Sequence, residues 1–95
     1  MFFQVFARPM PEISRFYGIV IRMYFDDHFP RHFHALYAGT EAVIDIDTLA
    51  LLSGRLPPRA LAMVTEWALL HQGELRELWG QAKDLRPLHK IDPLP

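Results

Sequence analysis

Ile19-Val20-Ile21-Arg22-Met23-Tyr24-Phe25, then His32-Phe33-His34-Ala35-Leu36-Tyr37, then Glu41-Ala42-Val43-Ile44-Asp45-Ile46-Asp47 are the runs that decide the fold. Each is β-branched or aromatic and bounded by turn residues, which predicts three strands. The period of two puts Ile19, Ile21, Met23 and Phe25 on one face of the first and Val20, Arg22, Tyr24 and Asp26 on the other. Asp26 to Arg31 is a polar connection containing Pro30, and Ala38-Gly39-Thr40 is a turn. Thr48 to Leu52 either extends the third strand or forms a short fourth, and Ser53-Gly54 marks the next turn. Connections this short predict antiparallel neighbours, a β-meander.

Beyond Gly54 the period changes. Pro57-Pro58 opens a helix, where a missing N–H is tolerated. Leu61, Val64, Ala68, His71, Leu75, Leu78, Ala82 and Leu85 then recur at steps of three and four, widened by Met63, Trp67 and Leu70. The expected architecture is therefore α+β: a small antiparallel meander of three to four strands packed against one long C-terminal helix. Gly73 inside the stripe is the place for a kink or a break. The tail from Arg86 to Pro95 is proline-punctuated, and its spaced Leu88, Ile91 and Leu94 are predicted, with Trp79, to make contacts along the body or on a partner.

The chain has 95 residues, so residues 10–95 read as one domain with a proline-rich tail. A hydrophobic content of 51% argues against disorder. The net charge of −1 provides no global field to attract nucleic acid or an anionic membrane, so any nucleic-acid contact needs a local patch. With no cysteine there is no disulfide, thiolate catalysis or Cys-type zinc site. No apolar run approaches the ~20 residues of a membrane span. A cytoplasmic protein without membrane association is expected. Residues 1–9 read as an N-terminal extension or, given Met10-Pro11, as an alternative start; their cluster Phe2, Phe3, Val5 and Phe6 needs cover. The scarcity of polar cover, and the sheet edge, predict a homo-oligomer or a partner complex.

His28, His32 and His34 are the main chemical signal. His32 and His34 are two apart on a strand, so they point the same way with Cβ atoms roughly 7 Å apart. His28 precedes them across a turn. Three readings stay open. The histidines fix a turn by hydrogen bonding. Or they bind zinc, with Asp26 or Asp27 as a further ligand, in a minimal metal-dependent hydrolase. Or they act as base and acid in a metal-free ribonuclease, with Arg22 or Arg31 stabilising the charged transition state. Asp45 and Asp47 share a strand face and read as a solvated pair before a carboxylate pair for acid–base chemistry. Arg55 and Arg59 flank the helix start, where cations oppose the helix dipole and hint at an acidic neighbour.

One resemblance spans Met10 to Leu94. Met10-Pro11-Glu12-Ile13-Ser14-Arg15-Phe16-Tyr17-Gly18-Ile19, Asp26-Asp27-His28 with Pro30, His32-Phe33-His34-Ala35 with Tyr37, Asp45-Ile46-Asp47, Gly54-Arg55-Leu56-Pro57, Arg59-Ala60, Glu66-Trp67, His71, Trp79 and Pro87-Leu88 resemble a bacterial family catalogued as domain of unknown function 4160. Residues 1–9 and Gly73 depart from its pattern. The resemblance implies no established activity. It does imply a partner, because such proteins are often encoded beside a second small domain, domain of unknown function 2442. The expected function is thus an interaction module in a two-protein toxin–antitoxin-like or regulatory system, with the hydrolase or ribonuclease as the alternative.

Overall fold

Residues 10–95 are described by a computed structural model; the expected N-terminal extension lies outside them. The strands are β1 (Glu12–Phe16), β2 (Ile19–Arg22), β3 (His32–Tyr37), β4 (Thr40–Asp45) and β5 (Leu51–Gly54), followed by helices α1 (Pro58–Leu70) and α2 (Gln72–Lys83). The sheet order is β1-β2-β3-β4-β5, every neighbour antiparallel, as a meander requires.

The strand count of three to four is corrected to five. β1 was hidden by its polar residues and by an irregularity: Glu12 pairs with Arg22 but Ser14 already pairs with Ile21. The extra residue puts both Ile13 and Ser14 inward and breaks the alternation that marks a strand. β5 runs through Ser53 to Gly54, where a turn was expected. Gly54 sits at φ +73°, and a Cβ there would come within 2.0 Å of the Glu41 carbonyl oxygen. Glycine lets β5 approach β4 that closely. β4 stops at Asp45 because its Oδ1 accepts the N–H groups of Asp47 and Thr48, a side-chain turn that competes with the ladder.

The single long helix is corrected to two. The break is at His71 (φ −128°, ψ 21°), two residues before Gly73. Low helix propensity at Gly73 weakens continuation, and the Glu74 carboxylate accepts from His71 Nδ1 at 2.7 Å across the joint. The apolar stripe survives the break: Val64, Trp67, Ala68, Leu75, Leu78 and Ala82 are all buried. They meet the inner face of the sheet, where Ile19, Ile21, Phe33, Ala35, Ala42 and Ile44 are fully buried. Trp67 is central, in ring contact with Phe16 and Phe33.

The tail docks on this chain's own body. Ile91 N–H donates to the Ile13 carbonyl at 2.7 Å, and Trp67 Nε1–H donates to the Asp92 carbonyl at 2.8 Å. Ile91 and Leu94 are buried, Leu88 packs partly against the core, and Trp79 is buried in α2. Of the two places expected for these four residues, the body takes Trp79, Ile91 and Leu94, with Leu88 at its margin. Among the described residues no helix is long and apolar enough to cross a membrane.

Candidate metal centre

The same strands that bury Ile21 and Phe33 inward turn Arg22, His32 and His34 to the opposite face. Register sets the neighbours: Arg22 lies opposite His34, His34 opposite Val43, and His32 opposite Asp45. This face is covered at its β2–β3 end. The chain leaves β2 after Arg22, and Tyr24 packs its ring edge-on to His34 at 4.5 Å. Asp26 adopts φ +50°, a left-handed conformation that aspartate tolerates. From there Asp27 turns inward. α2 holds the loop from outside: Asp26 N–H donates to the Ala82 carbonyl, Lys83 Nζ donates to the Asp27 carbonyl, and Trp79 contacts the rings of Phe29 and His32.

Asp27, His32 and His34 converge, with one ligand-type atom from each lying within 4.8 Å of the others. All three are more than nine-tenths buried. Their partners fix which atoms face inward. His32 Nδ1 lies 2.6 Å from the Pro30 carbonyl oxygen, which can only accept, so Nδ1 carries the proton. His34 Nδ1 lies 2.8 Å from Glu41 Oε2 and donates to that carboxylate. Both Nε2 atoms therefore point at the cluster. His32 Nε2 is 2.9 Å from Asp27 Oδ2. His34 Nε2 is buried with no hydrogen-bond partner. A buried imidazole nitrogen without a partner is costly unless something electrophilic meets it.

The arrangement has the parts of a metal site. A ligating histidine usually donates its other ring N–H to a carbonyl or carboxylate, which orients the ring and raises its basicity. Pro30 and Glu41 do this for the two histidines. The ring centroids of His32 and His34 are 5.4 Å apart. Two imidazoles sharing one tetrahedral metal at ~2.0–2.1 Å per bond have centroids roughly 5 Å apart.

The remaining predicted site residues are placed differently. Asp26 points outward and pairs with Lys83 Nζ at 3.3 Å, so its neighbour Asp27 provides the carboxylate. His28 lies beside the cluster with an 88% exposed side chain, its Nδ1 3.1 Å from Asp27 Oδ1. Arg22 donates from Nη1 to the Met10 carbonyl at 2.9 Å. Arg31 joins Arg76 on Asp47, and these hydrogen bonds, Arg76 first, hold the Asp47 carboxyl below its usual range. Asp45 accepts within its own turn while Asp47 binds the two arginines, so the two carboxylates are engaged separately. Glu41 was missed. The signal was present: the two-residue Ala38-Gly39 connection fixes the β3–β4 register, which places Glu41 diagonally across from His34 on one face. Two surface cavities, one lined by Tyr17, Tyr37 and Arg59 and the other by Thr40, Arg55 and Leu56, share no residue with the cluster.

The sequence profile of one family, described as Domain of unknown function (DUF4160), matches residues 18–80, a span that holds Asp27, His32, His34 and Glu41. The chain belongs to that family. No curated protein and no solved structure matches it.

Proposed function

We propose that this member of the DUF4160 family is a small metal-binding interaction module, with one divalent cation, zinc, held by Asp27 Oδ2, His32 Nε2 and His34 Nε2. The observation that carries the reading is the unpartnered, buried His34 Nε2, in a residue with a ligand-type atom within 4.8 Å of one from Asp27 and one from His32. Two nitrogens and an oxygen suit zinc, which takes His and Asp donors. The cation would tie the β2–β3 loop to β3. The module part of the reading, one half of a two-protein toxin–antitoxin-like or regulatory system, draws support from two features. The donors are more than nine-tenths buried, which leaves a hydrolase substrate little access to them. A metal-free ribonuclease needs two accessible imidazoles, and of the three only His28 is exposed. For a partner chain, β5 supplies the sheet edge, with Leu51 and Leu52 each 44% exposed.

The test is a zinc titration of chelator-stripped protein, with metal analysis of the protein as purified. One zinc per chain is expected for the wild type, and none for His34→Ala or His32→Ala at the same concentrations. Circular dichroism of the stripped variants checks that they fold. Full-stoichiometry binding by a folded His34→Ala variant, or no binding by the wild type, overturns the reading.

A further inference from the structure

Three donors leave a tetrahedral zinc one position short. Resting on the metal reading above, we propose that His28 fills it, closing the site as Asp27–His28–His32–His34.

The competing side chains around the cluster are already committed. Asp26 faces outward onto Lys83. Glu41 holds His34 Nδ1. Arg22 is a cation and spends Nη1 on the Met10 carbonyl. Two of the remaining histidines, His71 and His89, belong to a separate group around Glu74. His28 is different on each count. Its ring centroid is 6.4 Å from that of His32, against 5.4 Å for the His32–His34 pair. To reach the tetrahedral spacing of roughly 5 Å the His28 ring swings in toward the cluster. An 88% exposed side chain has no core packing to give up in making that move. It is also tethered in place: His28 N–H donates to Asp27 Oδ1 at 2.9 Å, and its Nδ1 lies 3.1 Å from the same oxygen. The ring therefore waits, exposed, beside the ligand carboxylate.

The consequence is a closed clasp. Two ligands come from the loop and two from β3, so the metal joins loop to sheet and no coordination position remains for a substrate or an activated water. Structural zinc sites are four-coordinate and closed in this way, whereas catalytic ones keep a position open. The fixed loop presents Phe29, 67% exposed and in ring contact with Trp79. Metal occupancy thereby sets the order of that surface.

The experiment compares wild type, His28→Ala and His34→Ala with zinc and with cobalt(II) as the optical probe. Four-coordinate cobalt gives strong visible bands, and five- or six-coordinate cobalt gives weak ones. Strong bands are expected for the wild type. His28→Ala is expected to keep one metal per chain, with bands shifted as water replaces an imidazole and with zinc affinity reduced on the order of 100-fold, at least the loss that an outer-sphere partner causes. An unchanged spectrum and affinity in His28→Ala, with binding still abolished in His34→Ala, overturns the fourth ligand and leaves the three-donor site standing. Absence of binding in the wild type removes both.

Discussion

Replacing Asp27 by asparagine separates a metal site from a buried ion pair, because only a metal site loses a zinc-dependent gain in stability. A carboxylate oxygen and an unprotonated imidazole nitrogen both only accept, so in the stripped wild type a proton lies between Asp27 Oδ2 and His32 Nε2, 2.9 Å apart. Asparagine keeps Oδ1 for the His28 N–H and offers an N–H₂ toward His32 Nε2. That neutral hydrogen bond is worth about 1 kcal/mol net, against roughly 1.5–3 kcal/mol for the charge-assisted one, so stripped Asp27→Asn melts somewhat below stripped wild type. Zinc at a hundred times its dissociation constant then stabilises wild type by about 2.7 kcal/mol. For a domain of this size each kcal/mol moves Tm by roughly 4–8 °C, so the zinc shift is roughly 10–20 °C. In Asp27→Asn it collapses to a small fraction of that. Differential scanning calorimetry with and without zinc reads both quantities. No zinc shift in the wild type, or a full zinc shift in Asp27→Asn, refutes the metal reasoning.

Two further substitutions test the frame around the site. Gly54→Ala meets the Glu41 carbonyl oxygen at 2.0 Å and must hold φ +73°, so β5 is pushed off β4; urea unfolding is expected to show a loss of roughly 2–3 kcal/mol or more, and a loss under about half a kcal/mol would show that the β4–β5 approach is not needed. Asp47 has its folded pKa depressed by hydrogen bonds from Arg76 and then Arg31. Its contribution to stability is therefore fully present above the ordinary value of 3.8 and is lost as the pH falls below it through the depressed folded value. Wild type is expected to lose Tm more steeply than Asp47→Asn on acidification from about pH 4 to about pH 2, with a residual slope from Glu12, whose carboxyl is likewise lowered by its hydrogen bond to Arg15. Identical slopes would mean that Asp47 binds its arginines no better folded than unfolded.

The parts of the fold that were legible are those where one physical signal acts alone. β3 spans His32 to Tyr37 as read, because its aromatic content, the His32-Phe33-His34 alternation and a glycine turn after Tyr37 all agree there. α1 begins at Pro58 for the reason the double proline gives. Illegible elements are those where two signals compete. In β1 an irregular register cancels the period of two. At His71 the apolar stripe runs on at helical spacing while the backbone does not, so the stripe hides the break. The site follows the same division. His32 and His34 share a face by strand periodicity alone. The choice of Asp27 over Asp26 depends on a single left-handed residue in a loop, which no periodicity reports. Glu41 required register, a non-local property, although the short turn fixed it.

The burial of the cluster bears on what such a site is for. A catalytic histidine must reach its substrate, and a catalytic metal must keep a position for it. Here the two strand histidines spend their Nδ1 protons on Pro30 and Glu41 and turn their Nε2 atoms away from solvent. What faces solvent is the loop itself, with His28 and Phe29, backed by Trp79 and hydrogen-bonded to the end of α2. A cation at the cluster would act on that loop from beneath, since Asp27 belongs to the loop and His32 to the strand behind it. Binding energy at a buried point would then appear as order on an exposed surface, which is how a metal serves recognition in a domain too small to rigidify its loops by packing alone.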